Sequence, residues 1–237
     1  MNKELYGMCI GTLLGDAYII HNTKSAFHRH TLRFGHSIYQ KKYADYKASL
    51  FEKLGYHPYS SVYELKKPHV DGTPCMQYMI GINMKHDIDL IIKEMYNGNK
   101  KVVTMSVLKK LTPLGIALWV MDDGCLSFGK KEGVVHCRRF FLNTQGFSKE
   151  ENEVIKEWFL ETYNIRCSLV KNKEHYRLYF NASEYQKLVE IISPYICESM
   201  HYKICFRYEH NQKRAIKYNL CKNLCSGKGC HVLEKEA

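Results

Sequence analysis

Two short stretches decide how this chain folds: Cys9-Ile-Gly-Thr-Leu-Leu-Gly-Asp16-Ala17 and Ile116-Ala-Leu-Trp-Val-Met-Asp-Asp123-Gly124. Each is an apolar run of helical length that ends in an acid followed by a small residue. Around the first, Gly7, Gly11 and Gly15 recur every four residues, share one helical face and leave a groove where another backbone can approach closely. A carboxylate at a helix C-terminus faces the negative end of the dipole and is disfavoured there. Its occurrence twice points to a compensating cation. Packed side by side, the two helices would bring Asp16 and Asp123 together near a local two-fold axis, and like charges that close need a divalent metal to stay ionised. Carboxylates combined with backbone and water oxygens suit Mg²⁺, and such a pair facing a basic surface suits phosphodiester hydrolysis.

Outward from the first motif, periodicity gives helix, strand, strand, helix, strand, strand, helix. Asn2 caps the motif helix. Strands follow at Tyr18–Ile20 and Thr31–Phe34, a helix at Tyr39–Leu54, strands at Ser60–Leu65 and Cys75–Ile82, and a helix at Asp87–Tyr96. The second motif helix opens with Thr112 at the N-cap and Pro113 at the first helical position. A strand at Val134–Leu142, a helix from Ser148 to Tyr163, a hairpin at Arg166–Lys171 and His175–Phe180, and a helix at Ser183–Ile192 repeat the order. Leu32–Leu54 matches Phe141–Tyr163 at a shift of about 109, close to the 107 between Asp16 and Asp123, so two copies of one unit are the simplest account. The expected fold class is mixed α+β. Its halves are residues 1–100 and 112–214, joined by a linker at 101–111 that overlaps the lysine-bearing stretch Asn97–Lys110, with a basic, cysteine-containing tail at 215–237.

The composition narrows the partner. With 237 residues, 45% hydrophobic, ten cysteines and five prolines, the chain is neither disordered nor collagen-like nor a disulfide mini-protein. No apolar run reaches the length of a membrane span, and Leu5–Leu14 is flanked by Glu4 and Asp16 instead of a signal peptide's basic region. Scattered cysteines inside apolar segments (Cys9, Cys137, Cys167) read as buried thiols of a reducing compartment. The expectation is an intracellular protein of an organelle or a bacterial cytoplasm, with no membrane partner; 27 lysines against 8 arginines fit an A·T-rich genome.

The 35 basic residues exceed the 24 acidic ones by 11, which favours nucleic acid. Alternation places His175, Arg177 and Tyr179 opposite Tyr176, Leu178 and Phe180, and Arg29, Thr31 and Arg33 opposite Leu32 and Phe34; Arg138 and Arg139 charge both faces of their strand. With Lys24, His28, Lys66, Lys67, His69, Lys130, Lys131, Lys171 and Lys173 nearby, the expected result is a basic, DNA-binding sheet surface in both halves.

Gly11-Thr-Leu-Leu-Gly-Asp-Ala-Tyr-Ile19, Leu111-Thr-Pro113, Ala117-Leu-Trp-Val-Met-Asp-Asp-Gly124, Leu142-Asn-Thr-Gln145 and Met200-His-Tyr-Lys203 together resemble the LAGLIDADG homing endonucleases, in the single-chain form with both motifs in one polypeptide. The likeness covers roughly residues 5 to 205. It implies a saddle of two αββαββα halves, with sheets in the DNA major groove and the motif helices at the centre. The family's catalytic carboxylates fall on Asp16 and Asp123, and basic residues near its active centres on Lys101 and Lys203. Asp122 aligns with Gly15, and both are expected to serve the metal through the backbone, or Asp122 to pack. The implied cofactor is Mg²⁺, with Mn²⁺ or Ca²⁺ substituting in binding. The implied partner is a long asymmetric double-stranded DNA target, cut by a monomer to leave short 3′ overhangs. Two alternatives use the same scaffold: a maturase bound to intron RNA, and a DNA-binding regulator without cleavage. Leu118 stands opposite Gly11 in the motif alignment, so the helix interface is expected to be asymmetric. Beyond Arg214, Cys221, Cys225, Cys230 and His231 have irregular spacings, which favours a basic extension over a zinc site.

Overall fold

The computed structural model describes residues 2–22, 29–66, 74–85, 87–131 and 134–204. The first half contains α1 (Lys3–Leu14), β1 (Tyr18–Asn22), β2 (Arg29–Ser37), α2 (Lys41–Glu52), β3 (Tyr59–Glu64), β4 (Met76–Lys85) and α3 (Asp89–Met95). A ribbon of β5 (Tyr96–Asn97) and β6 (Lys100–Lys101), followed by the short α4 (Met105–Leu108), leads to the second half. That half contains α5 (Pro113–Asp123), β7 (Gly124–Lys131), β8 (Val134–Leu142), α6 (Lys149–Tyr163), β9 (Ser168–Asn172), β10 (His175–Asn181) and α7 (Ala182–Ile192). Both sheets are antiparallel with the same order, β1-β2-β4-β3 and β7-β8-β10-β9, so the expected repeat is present in full.

The two motif helices form the spine. α1 is buried from Leu5 to Leu14 and α5 from Leu114 to Met121, because both are apolar all round and need neighbours on every side. They run in the same direction and touch through backbone. A Cβ on Gly11 would lie 2.0 Å from the Gly115 carbonyl oxygen, and one on Gly115 would lie 2.2 Å from that of Gly7. The glycine that meets Gly11 in space is therefore Gly115, one turn before the Leu118 of the motif alignment. The interface is asymmetric as expected, with three glycines on α1 (Gly7, Gly11, Gly15) against one on α5. Asn2 caps α1 and Thr112 caps α5, each through its side-chain oxygen.

Several expectations change in detail. β7 is absent from the periodicity reading, since Gly124-Cys-Leu-Ser-Phe-Gly-Lys-Lys131 carries two glycines and no clean alternation; pairing with β8 forms it. Tyr96, read as the end of a helix, and residues 97–101 of the lysine-bearing stretch form the β5–β6 ribbon, and Thr104 caps the single turn of α4. Thr31, read as solvent-facing, is buried because its hydroxyl bonds Asn83 across the sheet at 3.0 Å. Cys9, Cys75, Cys167 and Cys197 are free thiols, and no described helix is long and apolar enough to cross a membrane. Cys221, Cys225, Cys230 and His231 lie outside the described residues.

Candidate active site

The C-terminal tips of α1 and α5 bring Asp16, Asp122 and Asp123 together. A lysine caps each tip. Lys101, on β6, donates to the carbonyls of Leu13 (2.6 Å) and Gly15 (3.2 Å) at the end of α1. Lys203 donates to those of Asp122 (3.3 Å) and Gly124 (2.7 Å) at the end of α5. Both answer the unpaired carbonyls and negative dipole of a helix end, and so sit beside the acids in matching positions.

The three carboxylates differ in circumstance. Asp16 is half exposed, and burial together with the neighbouring Asp122 pushes its pKa up against the pull of Lys47, Lys203 and Lys101. Asp123 accepts from the Trp119 indole at 3.2 Å, and its pKa is pushed up to about 7 by burial and by Asp122 and Asp16. Burial alone would raise Asp122 too, but Lys47, His36 and the Tyr43 hydroxyl hold it below the ordinary carboxylate value. An open cavity of about 410 Å³ adjoins Asp123, lined by Leu14, Gly15, Asn99, Lys101 and Asn143 among others.

Asp122 joins the two halves. Its side chain is fully buried, accepting from Asp16 N–H (3.2 Å) and Lys47 Nζ (3.0 Å) at Oδ2 and from Tyr43 Oη (2.7 Å) and Lys47 Nζ (3.1 Å) at Oδ1. It crosses from α5 into the first half over Gly15, where a Cβ would fall 2.3 Å from Asp122 Oδ2. Ligand atoms of Asp16, His36 and Asp122 lie within 4.8 Å of one another, yet the Lys47 ammonium already fills the position a cation would take between the last two. The Asp122 carboxylate is held by Lys47, Tyr43 and the Asp16 N–H in the contact between the halves.

The donors expected from the sequence, the Asp16 and Asp123 carboxylates with the Gly15 and Asp122 carbonyl oxygens, lie at the same two tips, where the two carbonyls accept from Lys101 and Lys203. Burial raises both carboxyls, helped by the Asp122 charge at each and by the Asp16 charge at Asp123, and a cation bound there would favour their ionised forms.

The faces of the sheets turned away from the helices carry the polar surface. In the first half a row runs Tyr18, Arg33, Gly81, Tyr59, with the Tyr59 ring lying across Gly81. In the second, Arg177 stacks over Phe141 at 3.9 Å and reaches Asn143 at 3.4 Å, while Arg139 and His175 are exposed on the same face. Arg33 and Arg177 each keep a buried Nε with no partner among the described residues. Lys66 and Lys173 are exposed beyond strand ends, but Lys171 pairs with Tyr176 and so shares the helix-side face. Lys24, His28, Lys67 and His69 lie outside the described residues, as do the side chains of Arg29, Lys130 and Arg138.

Three functional neighbours escaped the sequence reading: His36, Tyr43 and Lys47. A signal existed for the last, since Tyr43, Ala44, Lys47, Ala48 and Phe51 make one apolar helical stripe with a lysine in its middle.

Comparison with known proteins places the chain in a family. Residues 6–188 match the LAGLIDADG DNA endonuclease family, and the chain belongs to it. It is 33% identical over 117 residues (49% of this chain, 81% of the relative) to the probable intron-encoded DNA endonuclease 3 of Mycosarcoma maydis. It is 29% identical over 220 residues to the cytochrome b mRNA maturase bI2 of Saccharomyces cerevisiae, covering 86% of this chain and 48% of that protein. The solved structure of the homing endonuclease I-WcaI bound to its DNA recognition sequence superposes with a TM-score of 0.74 at 24% identity, over 87% of this chain and 88% of that one, which establishes the shared fold.

Proposed function

We propose that the chain is a homing endonuclease that cuts both strands of a long, asymmetric DNA target in Mg²⁺ and leaves short 3′ overhangs. One observation carries this: two carboxylates, each at the tip of a glycine-locked helix, meet between two sheets whose outer faces bear arginine, tyrosine and histidine. Asp16 and Asp123, with the Gly15 and Asp122 carbonyls, would hold the metal. When bound, Mg²⁺ supplies an activated water and neutralises the leaving oxygen. Lys101 and Lys203, fixed at the two tips, place positive charge where the scissile phosphates gain negative charge. Arg33, Arg139, His175 and Arg177 contact the duplex on the open sheet faces, and the unequal side chains of the two sheets read unequal half-sites.

The test is selection of cleaved molecules from a randomised duplex library by the purified protein, with and without Mg²⁺. Recovery of one extended, non-palindromic sequence, cut on both strands only with metal, supports the reading; failure to cut any duplex overturns it. The maturase relative supports a second role on intron RNA, which needs the basic surface and not the acids. Splicing of a host intron by an Asp16→Asn/Asp123→Asn variant would distinguish that role from cleavage.

A further inference from the structure

The buried polar chain of the first half runs from Asp122 through Lys47 and His36 to Asp16. Lys47 lies fully buried, with its ammonium 3.0 Å from Asp122 Oδ2 and 3.3 Å from His36 Nε2. An ammonium has only donors, so Nε2 of His36 is the accepting nitrogen and the ring proton sits on Nδ1. That nitrogen faces Asp16 Oδ2 at 3.6 Å, too long for a closed hydrogen bond but the kind of contact that tightens once substrate is bound. His36 is itself buried and is wedged against the Tyr43 ring, with centroids 4.8 Å apart. The ring cannot swing away without opening the core.

Among the described residues the second half shows no such chain. The pairings Tyr18↔Arg33 and Cys125↔Phe141 put Thr144 at the position of His36, and counting from the starts of α2 and α6 puts Ile155 at the position of Lys47. Asp123 is steadied by the Trp119 indole on its own helix.

We infer that His36 is a positioning residue for one of the two cleavage centres: held by Lys47 at Nε2, it aims Nδ1–H at Asp16 and fixes that carboxylate's orientation, so the two DNA strands are cut through unequally supported acids. This rests on the nuclease reading above.

Asn has an N–H where His has Nδ1, so His36→Asn keeps the donor, and His36→Leu removes it while filling much of the space. With each strand end-labelled on the selected target, His36→Leu is expected to slow one strand at least about tenfold more than the other, accumulating a nicked duplex, and His36→Asn to restore much of the balance. Partial unfolding scales both strands together and leaves their ratio fixed. An unchanged ratio in His36→Leu overturns the inference. Nitrogen-15 NMR of the imidazole checks the same point without any cleavage: the inference requires a proton on Nδ1 and none on Nε2, and the reverse tautomer overturns it. A wild-type protein that cuts nothing but shows this tautomer would instead defeat the nuclease reading.

Discussion

The two halves share one topology, yet they settle their buried polar groups by opposite means. In the first half an ion pair is buried: Lys47 meets Asp122, which arrives from the other half, with Tyr43 and His36 around it. In the second, Ile155 stands at the position of Lys47 and a neutral amide one turn earlier on α6 does the work, Asn152 donating to the carbonyls of Thr144, Phe147 and Ser148 and pairing with the Thr144 hydroxyl. The pseudo-symmetry belongs to the backbone and not to the chemistry. Because Asp122 crosses the interface, the first half is completed by the second.

Replacing Asp122 by Asn tests this difference most severely. It leaves the Lys47 ammonium buried without its counter-charge, a loss of about 3–5 kcal/mol, whereas Asn152→Leu leaves neutral carbonyls unpaired at about 1–3 kcal/mol. Denaturant unfolding of the two variants should therefore differ, and equal losses would erase the distinction between the halves. Replacing the ion pair by Asp122→Leu with Lys47→Met should recover much of the stability.

Gly11→Ala should destabilise by about 3 kcal/mol. Its Cβ would strike the Gly115 backbone, which has no flexible end to move aside, whereas Gly146→Ala enters open space and should leave the melting temperature unchanged. A tolerated Gly11→Ala would mean that the helices do not touch as described.

Lys101→Met and Lys203→Met should each slow cleavage by about 10²-fold while leaving duplex binding intact, as expected for groups that act on developing charge. The two should differ in which strand suffers more.

The smallest effect is on the pH dependence of stability. Asp123, near 7, and Asp16, also raised, keep protons in the folded state that the unfolded chain has already released. Above the ordinary carboxylate range these two groups therefore bind more protons in the fold than in the unfolded chain, and their contribution to stability falls as pH rises from about 4 to about 7. Asp122, held low, works the other way: its contribution is present above the unfolded value and disappears as pH falls through the folded one. His36 also opposes the two raised acids, since a folded pKa of about 3 adds stability as pH rises toward the ordinary imidazole value near 6.5, so the share of the acids is read by difference. Without metal, wild-type protein should lose stability relative to Asp123→Asn as pH rises from about 5 to about 8 in thermal unfolding, and less so with Mg²⁺; a difference that stays constant or grows in favour of wild type would contradict the raised Asp123 pKa.

Much of this was legible in the residues. Two apolar helices tipped by Asp16 and Asp123, the Thr112-Pro113 start and the alternation of His175–Phe180 carried the repeat, because helix caps and amphipathic strands are local signals. β7 was not, since only its partner strand makes it a strand. Nor were the placement of Lys171 on the helix side, which is fixed by register with Tyr176, or the trapping of Asp122, which depends on α2 of the opposite half folding against α5. Contacts across the pseudo-dyad have no sequence period to announce them.

The central claim is that two carboxylates at paired helix tips act on DNA around a divalent cation. Its most direct measurement is cleavage of the selected duplex by chelator-treated protein, before and after Mg²⁺ is restored, beside an Asp16→Asn/Asp123→Asn variant. The account predicts that wild-type protein cuts both strands only after the metal returns, and that the variant binds the duplex without cutting either. Cutting by the variant, or by the wild type in chelator, would contradict it.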